Sequence, residues 1–411
     1  MVRTYGASFE KLYAAAVGTR LGDAARTSAV AVLAAELTGS PAAISAVSAM
    51  SFAPWLLFGL PAGALVDRWD KRRAFLAADS IRCATAALLC GLALAGHMSI
   101  ALLIVFVFLL TTVQTVSDSC FNSLLPSIVP QEDLGAANTR LSASQSTVGI
   151  VAAPLGSWLS TVSSALPFLL NVVTFGAAAG WVKALPKNMD RQAASKPANA
   201  EPRRLSRDIR DGLGAVRTRG LLSALLLCVS VNNFCNGLNS AMLPLLAIRS
   251  VGLHPAAFGA LAGSSAACMV AGNLLAGRLA AHGTPHHHVA GLAIGLKLPG
   301  FLLICAAHSP MPLILGTAVL GLATGLWNVP SSTLLMASAP REMIGRTMAL
   351  FRTVSVAGMP LGALASGLLA SMTGVRSSSL AAALLSGVVL LGYLRSLRHL
   401  PTPELTSPAR K

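Results

Sequence analysis

Apolar residues along this chain run in long stretches separated by short polar segments, and each stretch reaches the roughly 20 residues a helix needs to cross a hydrocarbon core about 30 Å thick. The pattern predicts helices over residues 9 to 37, 42 to 66, 74 to 96, 98 to 124, 134 to 162 and 164 to 186. A second set follows over 220 to 249, 256 to 281, 288 to 308, 311 to 336, 343 to 371 and 376 to 398. Between the sets, residues 187 to 219 carry Pro197, Pro202 and a string of Arg and Lys, the signature of a cytoplasmic linker or surface helix. The expected fold is an all-α membrane protein of twelve transmembrane helices. Its pseudo-symmetric six-helix domains cover 1–186 and 220–400, and 401–411 form a cytoplasmic tail.

Composition agrees. Of 411 residues, 54% are hydrophobic and 11% charged, against about 25% charged in a soluble domain. Mean hydropathy is +0.67. The formal charge of +16 could signal nucleic acid, but the basic residues sit between the apolar runs. They crowd the N-terminus, the loop with Arg68, Lys71, Arg72 and Arg73, the linker from Lys183 to Arg219 and the tail from Arg395 to Lys411. The alternate loops, near Gly39, Gly96, Ser163, Arg249, Ser309 and Arg376, carry only two. Lys and Arg mark cytoplasmic loops, so the charge reads as topology, with both termini cytoplasmic in the cell membrane and no nucleic-acid partner. Seven cysteines lie inside apolar runs without metal-ligand spacing, which predicts reduced core-type side chains. No short apolar leader with a small-residue cleavage site precedes the first helix, so none is expected to be removed.

The halves repeat. Leu124-Leu125 with Pro130, Glu132 and Gly135 reappears 210 residues later as Leu334-Leu335 with Pro340, Glu342 and Gly345. Pro154-Leu155-Gly156 recurs as Pro360-Leu361-Gly362. Internal duplication of this kind is common in transporters that bind substrate at the repeat interface.

The loop after the second helix reads Gly63-Ala-Leu-Val-Asp67-Arg68-Trp-Asp70-Lys71-Arg72-Arg73. It resembles the signature loop of the major facilitator superfamily. In that reading Gly63 permits close helix approach, Asp67 faces a helix N-terminus, and Arg68, Arg72 and Arg73 anchor the loop, together a conformational latch. Thr19-Arg20-Leu21-Gly22-Asp23, Glu36 to Pro41, Ala78-Asp79-x-x-Arg82 and Asp118 before Leu124-Leu125-Pro126 resemble the enterobactin-exporter and macrolide-efflux branch. The resemblance implies export of a small organic molecule by alternating access, usually driven by protons. Where many relatives of that branch carry Glu in the fourth and fifth helices, this chain has Gln114 and Gln145. Gly149-x-x-x-Ala153-Pro154-Leu155-Gly156 is similar to the antiporter motif, and with Pro360 and Gly362 it marks expected hinges.

An ionisable group at bilayer depth needs a partner or a wet cavity. Asp23 is the leading candidate, either as a coupling carboxylate or as a structural ion pair with Arg20 and Arg26, three residues to either side. Asp118 is a candidate substrate or gate residue, Asp79 and Arg82 an expected i, i+3 pair near the inner surface, and Lys297 a further substrate or coupling candidate. Asn232, Asn236 and Asn239 form one stripe of the seventh helix. With Gln114, Gln145, Trp327 and Asn328 they are read as cavity-lining, although the stripe could equally hydrogen-bond between helices. His286, His287 and His288 read as hydrated surface rather than a metal site. There is no HExxH, phosphate-binding Gly-Lys-Ser/Thr loop or nucleophile elbow, so no enzyme activity and no cofactor is expected.

The expected function is secondary active, proton-linked efflux of a drug, siderophore or secondary metabolite by a monomer. An uncoupled facilitator or importer is the alternative, and a non-transporting membrane receptor or scaffold a third.

Overall fold

The computed structural model describes residues 6–66, 69–186, 220–338 and 344–398, and all regular structure within them is helical. The first six helices are α1 (Ala7–Leu37), α2 (Pro41–Val66), α3 (Lys71–Leu94), α4 (Ile100–Ile128), α5 (Leu134–Val162) and α6 (Leu166–Lys183). The second six are α7 (Gly220–Leu245), α8 (Pro255–Ala281), α9 (His286–Cys305), α10 (Pro310–Ser338), α11 (Ile344–Thr373) and α12 (Arg376–Arg398). Each coincides with an apolar run within a few residues. The expected linker over 187–219 and the tail over 401–411 lie outside the described residues.

Local chemistry explains the ends. Asp70 caps α3 by accepting from the Arg73 backbone N–H at 2.7 Å, and Ser99 caps α4 through the Leu102 N–H at 3.3 Å. Gly96 (φ 72°) and Gly374 (φ 93°) turn the chain after α3 and α11 in left-handed backbone that a side chain would strain. Beyond Pro244, α7 continues as a π-helical turn over Leu246–Ser250. Seven further prolines, among them Pro54, Pro154 and Pro360, lie inside helices, where neighbouring helices can satisfy the backbone groups they free.

Polarity is arranged for lipid. Leu94, Leu368, Met372 and Val388 are each more than 60% exposed, while Asp23, Arg26, Asp79, Arg82 and Lys297 are buried. Nine helices among the described residues are long and apolar enough to cross a membrane by composition alone. α1, α5 and α7 are not among them: α1 carries Arg20, Asp23, Arg26 and Glu36, the first half of α5 is rich in Ser, Thr and Asn, and α7 carries Asn232, Asn233, Asn236 and Asn239. With their flanking helices they complete a bundle of twelve transmembrane helices. All seven cysteines are free thiols.

The chain divides into two compact units. Unit 1 comprises Met1–Gly39, Met50–Asn199 and His254–Gly263; unit 2 comprises Ser40–Ala49, Ala200–Leu253 and Ser264–Lys411. The start of α2 thus belongs with the second set of helices and the start of α8 with the first. The duplicated Pro-Leu-Gly segments do the same work in each unit. A Cβ on Gly156 would collide with the Ala25 backbone of α1, and one on Gly362 with the Phe234 backbone of α7. Small residues let these helices touch backbone to backbone, the packing that lipid favours. Ser28 and Ser157 reinforce the first contact at 2.6 Å, and Ser366 donates to Leu238 O at 2.7 Å in the second.

Candidate functional site

In unit 1, α1, α3 and α4 place six charges together. α1 presents Arg20, Asp23 and Arg26 at i, i+3 and i+6, α3 presents Asp79 and Arg82, and α4 presents Asp118. Arg82 is the hub. Its Nη2 donates to both oxygens of Asp23 at 2.6 and 2.5 Å, its Nη1 donates to Asp79 at 3.1 Å, and its guanidinium lies 3.9 Å over the Phe175 ring of α6. Ser117 donates to Asp79 at 2.8 Å. Arg26 donates to Asp23 at 3.3 Å and reaches Gln114 Oε1 at 3.5 Å. Arg20 leaves Asp23 for Asp118, 2.8 Å away.

Three carboxylates therefore face three guanidiniums, and the cluster is neutral. An ionisable group at bilayer depth needs a partner or a wet cavity, and this cluster supplies partners. The pairing differs from the expected one: Asp23 meets Arg26 but not Arg20, and its main partner is Arg82 from another helix. Asp79 and Arg82 do form an i, i+3 pair, buried at 0% and 2% exposure.

The pairs are not equally held. Asp23 and Arg82 are enclosed, whereas the Arg20 and Asp118 side chains are 35% and 18% exposed. Asp118 keeps one ion-pair partner among the described residues, and its Oδ2 has no hydrogen bond. A carboxylate with a vacant buried oxygen and a half-solvated partner has room for a proton. Asn171 of α6 ties the cluster's base by donating to the Gly22 carbonyl at 3.0 Å.

Unit 2 builds a different site. Lys297 of α9, 4% exposed, donates to Asn236 Oδ1 of α7 and to Thr324 Oγ1 of α10, both at 3.3 Å. Beside it lies a cavity of about 20 Å³ between α7, α9, α10 and α12, lined by Asn232, Cys235, Lys297, Trp327 and Ser386 among others. Asn239, the third member of the α7 stripe, is buried and accepts from Ser379 of α12 at 3.1 Å, so the stripe serves both a cavity and a helix contact. Trp327 lines the cavity and also packs in the core with Leu225 and Tyr393. Gln145 and Asn328 are exposed.

Of the latch, Asp67 and Arg68 lie outside the described residues. Among the described residues, a Cβ on Gly63 would meet nothing within 4 Å. Arg72 donates to the Val182 and Lys183 carbonyls at 3.2 and 2.6 Å, closing the end of α6, and Arg73 pairs with Asp70 at 3.4 Å. In α5, Ile150, Ala153, Pro154 and Ser157 seat the start of α8: a Cβ on Gly259 or Gly263 would strike the Ala153 or Ile150 carbonyl or the Pro154 ring. The histidines diverge. His287 is buried, with Tyr393 donating to its carbonyl at 3.0 Å, and His288 is exposed.

Sequence reading missed the Asp23–Arg82 link, the Phe175 platform and Thr324. It also missed a cluster at the N-terminal end of α1, where Arg140 of α5 grips Glu10 at 2.6 and 2.9 Å and stacks 4.3 Å from Tyr13. The hint was the excess of ionisable residues in α1, α3 and α5, which fixes that partners exist but not which ones.

Comparison with known proteins places this geometry. The family model described as transmembrane secretion effector matches residues 5–410. Macrolide efflux protein A of Streptococcus pyogenes is 24% identical over 348 residues, 83% of this chain and 84% of that protein. Its namesake in Enterococcus faecalis is 23% identical, covering 78% of this chain and 99% of that one. Among solved structures, an inward-facing bacterial homologue of the human lysosomal transporter Spinster superposes with a TM-score of 0.73 at 14% identity, covering 99% of this chain and 100% of that chain. A D-xylose–proton symporter gives 0.70 at 11% identity, covering 97% and 99%.

Proposed function

We propose that this chain, which belongs to the transmembrane secretion effector family of major facilitator transporters, exports a small organic molecule across the cell membrane in exchange for protons. Alternating access, with both termini cytoplasmic as the basic loops indicate, is the mode of transport. Relatives named for macrolide efflux support the outward direction.

The observation that carries proton exchange is the Arg20–Asp118 pair at 2.8 Å. Protonation of Asp118 removes the only counter-charge of Arg20 in that pair. The freed guanidinium, three residues from Asp23 on the same face of α1, then competes with Arg82 and Arg26 for that carboxylate. Protonation leaves three guanidiniums against two carboxylates, and the surplus positive charge falls on Arg20, which at 35% exposure can be hydrated; the exchange of partners alters how α1 is held against α3 and α4. Asp118 carries the proton, Arg20 reports it, and Asp23 is the carboxylate for which the arginines compete.

Purified protein in liposomes with an imposed pH gradient tests this. Expected is uphill movement of an exported compound coupled to proton counter-movement, both lost in Asp118→Asn. Transport indifferent to the gradient, with Asp118→Asn unchanged, rejects the mechanism. A second reading, an uncoupled facilitator or importer, is favoured by Gln114, an amide where the resembled branch has an acid, here engaged by Arg26 at 3.5 Å. Counterflow without uphill accumulation would establish it.

A further inference from the structure

The buried charges of the α1–α3–α4 cluster balance one another, whereas Lys297 in unit 2 has no such partner among the described residues. Lys297 is buried, and its two hydrogen bonds go to a neutral amide and a neutral hydroxyl. The described helices of unit 2 offer Lys297 no carboxylate. From residue 220 to residue 398 Glu342 is the single acidic residue, and it falls between the end of α10 and the start of α11, outside the described residues. The three intramembrane aspartates of unit 1 each already face an arginine. A lysine fixed at depth by Asn236 and Thr324, with no carboxylate beside it among the described residues, is a cation waiting for an anion.

The surroundings define the anion. The cavity beside Lys297 is about 20 Å³, room for a water molecule or a group of carboxylate size. Its walls are Val231, Ala293, Ile294 and Val389, with the Trp327 ring; Asn232 and Ser386 add polar atoms. One cation, an amide and a hydroxyl inside an apolar, aromatic frame match a single compact anionic group attached to an apolar body.

We infer that Lys297, positioned by Asn236 and joined by Asn232, binds the carboxylate or similar monoanionic head of an amphipathic organic substrate, held against Trp327. This rests on the reading of the chain as an exporter of small organic molecules and names their class. It also separates this chain from a site built for a cationic amphiphile, which a buried lysine would repel. Head-group binding would neutralise Lys297, so a loaded unit 2 is free of net buried charge.

The test measures equilibrium binding of labelled decanoate and fusidate to the full-length protein in detergent, with their neutral methyl esters, the cationic macrolide erythromycin and sodium chloride as competitors. Expected is displacement of the two anions by each other and not by esters, erythromycin or chloride. Lys297→Gln should weaken binding at least about tenfold, with Lys297→Arg retaining more of it. Asn236→Ala, which keeps the charge and loosens its position, should fall between. Thermal unfolding of each variant identifies any that fail to fold, and Lys297→Arg and Asn236→Ala keep the test decisive if Lys297→Gln does. Esters binding as well as acids, erythromycin displacing the anions, chloride alone competing, or no binding of either acid would overturn the assignment. Acid binding intact in a protein that shows no proton exchange would count against the proposed coupling and leave this site standing.

Discussion

Arg82 spends its two terminal nitrogens on two aspartates from different helices: Nη2 on both oxygens of Asp23 and Nη1 on Asp79. With its guanidinium over Phe175 it ties α1, α3 and α6 in one side chain. Lysine could not replace it, because a single ammonium lacks both the planar fork and the stacking face.

Removing one member of this enclosed set strands the others. Arg82→Gln and Asp23→Asn should each destabilise the protein by about 3–5 kcal/mol, the cost of a buried charge left alone. The double variant should recover part of that loss, since neither charge then remains. Melting curves in detergent for the singles and the double check this. Additive losses would mean the two side chains do not interact.

Asp118 should behave differently. Its partner Arg20 is 35% exposed and can be hydrated, so Asp118→Asn is expected to fold with near-normal stability while losing dependence of transport on pH. Parallel loss of stability and transport in that variant would make Asp118 a structural residue like Asp23. Measuring melting temperature and pH-dependent flux on the same preparation separates the two.

These outcomes also mark how far the sequence could be read. Helix number, boundaries and the duplicated halves follow from apolar runs and Pro-Gly spacing, because lipid demands long apolar helices and dictates little else. The ion pairs do not follow. The spacing of Arg20, Asp23 and Arg26 along α1 allows them to pair with one another, and only the placement of α3 and α4 sends Arg20 to Asp118 and brings Arg82 to Asp23. Periodicity fixes which residues share a face of one helix; it is silent on which face of another helix meets it. Lys297 was visible as an intramembrane charge, whereas Thr324, a common residue in a membrane helix, gave no signal of its role.

The matched glycines of the two units carry a paired prediction. Gly156→Leu and Gly362→Leu each drive a side chain into a facing backbone, Ala25 of α1 or Phe234 of α7, and a backbone cannot rotate away. Both should abolish accumulation of folded protein. Gly180→Leu, where a Cβ would meet nothing within 4 Å, should be tolerated. Fluorescence-detected size exclusion of the three variants decides it, and a well-folded Gly156→Leu would show that α1 and α5 do not pack as described.

The segment resembling the antiporter motif yields a last prediction, because its small residues have a visible job. Ala153 and Pro154 leave a shallow seat on α5 into which Gly259 and Gly263 of α8 press so closely that added Cβ atoms would strike its backbone and the proline ring. Pro154 has no N–H to return to Ile150, so that carbonyl is left without its helical partner, and Gly263 is the residue whose missing side chain leaves it accessible. Even the smallest addition, Gly259→Ala, must therefore displace α8 from α5. A larger one, Gly263→Val, should displace it further, and transport should fall in that order while the protein still folds, since each glycine lies in the first third of α8. Gly277→Ala, on the same helix but facing open space, should match the parent. Equal transport rates for Gly259→Ala, Gly263→Val and Gly277→Ala at equal expression would show that the contact is incidental to the transport cycle.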